Sequence, residues 1–289
     1  MAASVRADVV DDDEPVIRRL PDLSTHLAFW LPAANVLMQL ADPAVGYGVV
    51  ESRVERSRGD LHPVKRARTT AQYLAVATMG SDDDRRFFHE KVYEIHAQVT
   101  STESSPVRYS ANAARAQLWV ALCLVRYYTD QWEMMHGPLT VDELDRVIAI
   151  ARPLGTTLNV PDKWWPGTWA EYERAFAEGL DRVHVDQPVR EYLNSLADFS
   201  VLKIRMGPVG TLAHKTIGPW SLSMTKFGVP QRVREEMRWE ITHRDLRRRR
   251  IVLNLSAALG AVLPRPLRLY YRLNLLDLRV RRRLGLRVF

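Results

Sequence analysis

The chain has 289 residues, 46% hydrophobic and 26% charged, the balance of a globular protein long enough to bury a sizeable core. Its single cysteine, Cys123, excludes an internal disulfide, a cysteine-based zinc site and an iron–sulfur cluster. The net charge of +7 is uneven: residues 230–289 hold 16 arginines, no lysine and five acids, a net of +11, which leaves −4 on the other 229 residues.

The opening stretch MAASVRADVVDDDEP is acidic and lacks the basic-then-apolar order of a secretory signal, so residues 1–27 read as a partly disordered segment. Pro63 to Met79 reads as a helix stopped by Gly80, with Arg66, Thr70, Tyr73 and Ala77 on one stripe. Ser81, with Asp84 three residues on, is an N-cap signal that opens the next helix. In that helix Phe88, Val92, Ile95 and Val99 follow core-facing spacing. His89 and His96, seven residues apart, project to nearly the same side, roughly 10 Å apart along the axis. Taken alone, each histidine fits a core imidazole hydrogen-bonded to a neighbour.

Asn112 to Met135 is apolar on nearly every side between Ala116 and Val125, which predicts a helix buried at the centre of a bundle. Thr140 with Glu143, and Thr168 with Glu171, have the spacing of capping boxes. The second opens a helix with Trp169, Tyr172, Phe176, Leu180 and Val183 at 3–4 spacing, and Pro188 to Phe199 repeats the pattern. The glycine- and proline-rich stretch over about 200–230 reads as loop with short helical pieces, followed by helical segments over roughly 231–262 and 265–284. The apolar run Ile251 to Leu263 is too short to span a bilayer, and the chain reads as cytoplasmic. The fold class is all-α: a single multi-helix domain, with a core over residues 28–230 and arginine-rich helices over 231–289 packed on it.

No Walker loop, GxGxxG, HExxH or nucleophile elbow is present. What remains is a helical core with Arg66, Thr70, His89 and His96 aimed inward from two consecutive helices. A core that tolerates such groups often encloses a cofactor, and haem on a helix-borne histidine is the commonest case.

Five segments, LMQLADPAVGYGVVES, HPVKRARTTAQYLAVATMG, HEKVYEIHAQV, RYSANAARAQLWVALCLV and GPLTVDELDRV, occur in an order and spacing that resemble the MpaB-type oxygenases, which include the latex-clearing proteins or rubber oxygenases. The resemblance covers roughly residues 28–200. It implies a globin-like helical core holding a b-type haem, with His96 as the proximal iron ligand and Arg66 and Thr70 beside the haem as catalytic and cofactor-binding residues. It further implies that O2 and a hydrophobic, isoprenoid-like substrate react there, and that His89 packs. The chain departs from the family pattern at Asp42, where a histidine is common, and at Ala121, where the pattern reads WVHAT. It departs again at Ala113, where Asp is frequent, and at Ser101, where glycine is usual. Cys123 lacks the glycine-rich loop that presents a P450 thiolate.

In PRPLRLYYRLNLLDLRVRRRLGLRVF, Arg268, Arg272, Arg279 and Arg283 share one helical side and Tyr271, Leu275 and Leu278 the other. Such a helix either packs on the core with a solvated arginine face or rests on an anionic membrane surface with its apolar side dipping in. No specific nucleic-acid motif accompanies the basic charge. Two functions follow: a haem-dependent oxygenase acting on a hydrophobic substrate, or a non-catalytic helical protein that binds anionic membranes.

Overall fold

The helical signals resolve, in the computed structural model, into thirteen α-helices with no strand among the described residues, 17–51, 63–263, 266–286 and 288. In chain order they are α1 (Pro32–Leu40), α2 (Pro43–Val50), α3 (Pro63–Met79), α4 (Asp82–His96), α5 (Ala114–His136) and α6 (Val141–Thr156). Then follow α7 (Trp169–Asp181), α8 (Gln187–Ala197), α9 (Leu202–Thr216), α10 (Gly218–Gly228), α11 (Gln231–Glu236), α12 (His243–Val262) and α13 (Pro266–Arg283).

The apolar run of α5 places it at the centre, against α1, α6, α7 and α12. Trp119, Ala121, Cys123 and Val125 are fully buried, and Trp119 stacks on Phe176 of α7 with centroids 5.2 Å apart. That close approach explains Gly179, where an added Cβ would lie 2.2 Å from the Trp119 ring. The indole N–H also donates to the carbonyls of Met38 and Gln39, both at 3.2 Å, so one side chain ties α7, α5 and α1 together.

The folded core begins ahead of residue 28. Ile17 is buried, as are Leu20, Leu23 and Leu27 in two short 3-10 turns, and the Thr25 amide donates to Gln131 Oε1 at 2.9 Å. Residues 1–16 of the segment read as partly disordered lie outside the described residues.

Caps follow the sequence closely. Ser81 with Asp84, and Thr140 with Glu143, form reciprocal capping boxes. Thr168 caps α7, but the Glu171 carboxylate accepts from Gly167 N at 2.7 Å instead of from its cap residue.

The stretch read as loop over about 200–230 is instead two helices, α9 and α10. Gly218 and Pro219 stand at the start of α10, where a missing N–H costs nothing. The buried hydroxyls of Ser223 and Thr225 bond back to the carbonyls of Pro219 and Ser221, at 2.9 and 2.8 Å. Only Gly207, at φ 50°, and Pro208 mark a break, as a kink within α9. The segment over roughly 231–262 is divided between α11 and α12, with Arg238 at φ 57° in the turn.

The helix α13 docks along α3, the helix that carries Arg66 and Thr70. Leu267, Tyr271, Leu275 and Leu278 form its buried side, and Tyr271 Oη lies 2.9 Å from Tyr128 Oη of α5. The apolar side that the sequence offers to a membrane is therefore the side the protein buries. Two arginines of the other side are committed as well, Arg268 to Asp22 at 2.8 Å and Arg279 to Asp84 at 2.7 Å. No helix among the described residues is long and apolar enough to cross a membrane.

Candidate functional site

The last residue of α4 is His96, and the chain beyond it folds back to hold the ring. Between α4 and α5 the backbone closes on itself at Thr100 and Ser110, with Ser101 N donating to Tyr109 O and Ala111 N to Val99 O, both at 2.9 Å. This returns Ala111 and Asn112 to the end of α4, where Asn112 Nδ2 donates to Tyr93 O at 3.0 Å.

On α5, Gln117 completes the clamp. Its Nε2 donates to the Ala111 carbonyl at 2.6 Å and lies 3.2 Å from His96 Nδ1. Its Oε1 accepts the amide of Asn159, whose own side chain donates to Asn112 O at 2.9 Å. Two backbone groups thus fix the Gln117 amide, and the Ala111 carbonyl also bonds His96.

Burial, then the positive charge of Arg66, lowers the His96 pKa to about 4, against a smaller upward pull from the Ala111 carbonyl. The ring is therefore neutral at pH 7 and keeps a free lone pair, the form that binds metals.

Arg66 on α3 is close enough to act on His96 through its charge. Burial lowers its own pKa, offset in part by Tyr192. No carboxylate pairs with it among the described residues, and yet its side chain keeps accessible surface. Thr70, one turn further on α3, is accessible and makes no hydrogen bond among the described residues. Tyr73 donates to Leu154 O at 2.5 Å, and Ala77 is buried.

The two histidines on α4 differ in their partners. His89 places Nδ1 3.0 Å from the Leu158 carbonyl and stacks near Tyr93. His96 alone is joined electrostatically to Arg66. Gln117 and Asn159 were not singled out by the sequence reading; the signal for Gln117 is a polar residue one turn into an apolar helix.

The positions that depart from the family pattern have structural duties. Asp42 caps α2 by accepting from Ala44 N at 2.9 Å and pairs with Arg182 Nε at 3.3 Å. It borders a cleft of about 390 Å3 that Arg108, Ala113 and Arg115 also line. Ala121 is fully buried, and Ala113 starts α5 without a side-chain cap. Burial pushes the Cys123 thiol well up, which keeps it protonated.

Comparison with known proteins agrees with this arrangement in extent. A family model described as ER-bound oxygenase mpaB/B'/Rubber oxygenase, catalytic domain, matches residues 24–263. The chain is 41% identical over 259 residues to uncharacterized protein Rv2237 of Mycobacterium tuberculosis and to uncharacterized protein Mb2261 of Mycobacterium bovis, covering 89% of this chain and 99% of each relative. No solved structure matches the chain. The matched span runs from the buried N-terminal turns to the end of α12 and includes Arg66, Thr70, His96 and Gln117. The chain belongs to the MpaB and rubber oxygenase catalytic-domain family, a family of oxygenases.

Proposed function

We propose that the protein is a haem b-dependent oxygenase that acts with O2 on a hydrophobic, isoprenoid-like substrate, with His96 as the iron ligand. The observation that carries this reading is the neutral imidazole of His96, with Gln117 at its Nδ1 and within reach of the charge of Arg66, which has no carboxylate partner among the described residues.

The donor set fits a haem. Among the described residues no three His, Cys, Asp or Glu side chains gather into a metal site, and a haem would bring four ligands of its own to an iron on His96. A tetrapyrrole supplies four nitrogens and carries carboxylates, and a guanidinium matches a carboxylate with two charge-assisted hydrogen bonds. Arg66 is positioned to bind such a carboxylate. When bound, the haem supplies an iron centre for O2 chemistry.

The protein's own residues orient the site. With the Gln117 amide donating to the Ala111 carbonyl, binding iron through Nε2 would require the His96 tautomer that carries its proton on Nδ1. The Gln117 amide, itself held by two backbone groups, stops the ring from rotating about its bond to the helix. Thr70 offers a hydroxyl one turn from Arg66.

Incubating the haem-loaded protein with a polyisoprenoid oligomer tests the proposal by O2 uptake and mass spectrometry of the products. Oxygenated or cleaved products that His96→Ala abolishes are expected. A fully loaded protein that consumes no O2 with any apolar chain would leave a haem protein without this activity.

A further inference from the structure

The outer side of α13 carries a second apolar stripe, distinct from the one packed on α3. Leu269, Leu273, Leu276, Val280 and Leu284 recur at 3–4 spacing and are 62, 56, 58, 42 and 67% exposed. The stripe lies opposite Tyr271, Leu275 and Leu278 on the helical wheel, so burial in the core does not account for it. The end of α12, just before it in the chain, adds Leu255, Leu259, Val262 and Leu263, all more than half exposed. An unbroken leucine row of this length on a helix with no other partner is costly in water.

The charges beside the stripe are one-sided. Arg272 and Arg283 fall on one flank, exposed, and have no ion-pair partner among the described residues. Residues 246–289 contain a single acid, Asp277. Its carboxylate is occupied, accepting from Gln72 Nε2 at 2.6 Å and Arg281 Nε at 2.9 Å. An exposed leucine stripe edged by unneutralised arginines is complementary to a surface that is apolar beneath and negatively charged above. An anionic lipid bilayer is that surface.

We infer that α13 is a membrane-docking helix: the Leu269–Leu284 stripe enters the acyl boundary of an anionic bilayer, and Arg272 and Arg283 contact lipid phosphates. The tie to the core is rigid, through the Tyr128–Tyr271 hydroxyl pair and the Asp84–Arg279 ion pair. Docking therefore orients the whole domain with α3 close to the lipid. The inference does not depend on haem.

Flotation of the full-length protein with vesicles of phosphatidylcholine alone, or mixed with phosphatidylglycerol, tests it. The protein is expected to float with the mixed vesicles, to bind the neutral ones far more weakly, and to be released by high salt. Replacing both arginines by glutamine (R272Q and R283Q together) lowers partitioning into the mixed vesicles by roughly 25-fold, at about fivefold per arginine. The triple variant L273E, L276E, V280E abolishes flotation while its circular dichroism spectrum is unchanged, because all three side chains are exposed. A folded wild type that does not float overturns the inference, as does a triple variant that floats equally well. A wild-type dimer that the triple variant turns into a monomer, with flotation unaltered, overturns it too and assigns the stripe to self-association.

Discussion

Replacing Gln117 by leucine removes the brace behind His96 at nearly constant volume. The side chain is 4% exposed and satisfies two backbone groups, the Ala111 carbonyl and the Asn159 amide. Each group left unpaired costs about 1–3 kcal/mol, and burying the leucine returns about 1 kcal/mol. The net expectation is a loss of roughly 1–5 kcal/mol. Urea unfolding followed by circular dichroism measures it, provided the slope against denaturant is unchanged. Gln117→Glu separates orientation from packing: it retains the acceptor for Asn159 N–H and sets a carboxylate oxygen against the Ala111 carbonyl. It should lose at least as much stability as Gln117→Leu. A loss below about 0.5 kcal/mol in both variants would refute the clamp, because surface substitutions cost that much.

Three further expectations follow from the packing. Hydrogen bonds from Arg279 and Ser81 outweigh the upward pull of burial and hold the Asp84 carboxyl near 2, below its ordinary 3.8. A folded-state pKa below the unfolded one stabilises above 3.8, and the gain is lost as pH falls towards 2, so the stability gap between wild type and Asp84→Asn, roughly 2 kcal/mol, closes over that window in pH-dependent urea titrations. Gly179→Ala sets a Cβ against the Trp119 ring and should cost about 1–3 kcal/mol, seen as a lower Tm with an unchanged far-ultraviolet spectrum. Tyr271→Phe strands the buried Tyr128 hydroxyl and should cost about 1–2 kcal/mol in the same unfolding assay, with α13 protected less against hydrogen exchange.

Much of the fold was legible because its signals are local. Helix caps at Ser81 and Thr140 and the all-round apolar run of α5 each specify structure within a few residues. The region over 200–230 misled because glycine and proline there stand at helix starts, where they are tolerated, and because buried serines and threonines bond to their own helix. The arginine-rich end was legible as a helix with Tyr271, Leu275 and Leu278 on its apolar side, but not as to whether that side meets the core or a membrane. Both sides of α13 are apolar, and only the position of α3 decides between Tyr271 and Leu273. In the site, spacing alone left His89 and His96 alike, and Arg66 and His96 were singled out only by the resemblance to the MpaB-type oxygenases. Gln117, Ala111 and Asn159 could not be singled out, since they meet His96 only after the chain has reversed at Thr100–Ser110 and α6 has closed over it. Asp42 reads as a departure from a family pattern and is, in the structure, a helix cap paired with Arg182.

The central claim, that His96 is the protein's iron ligand, is tested most directly by the absorption spectrum of the protein purified after expression with haem supplied, beside His96→Ala and His89→Ala. A Soret band that survives in the His89 variant and is lost or shifted in the His96 variant is the predicted result. A folded, helical wild type without a Soret band, or a His96 variant with the wild-type spectrum, would contradict it.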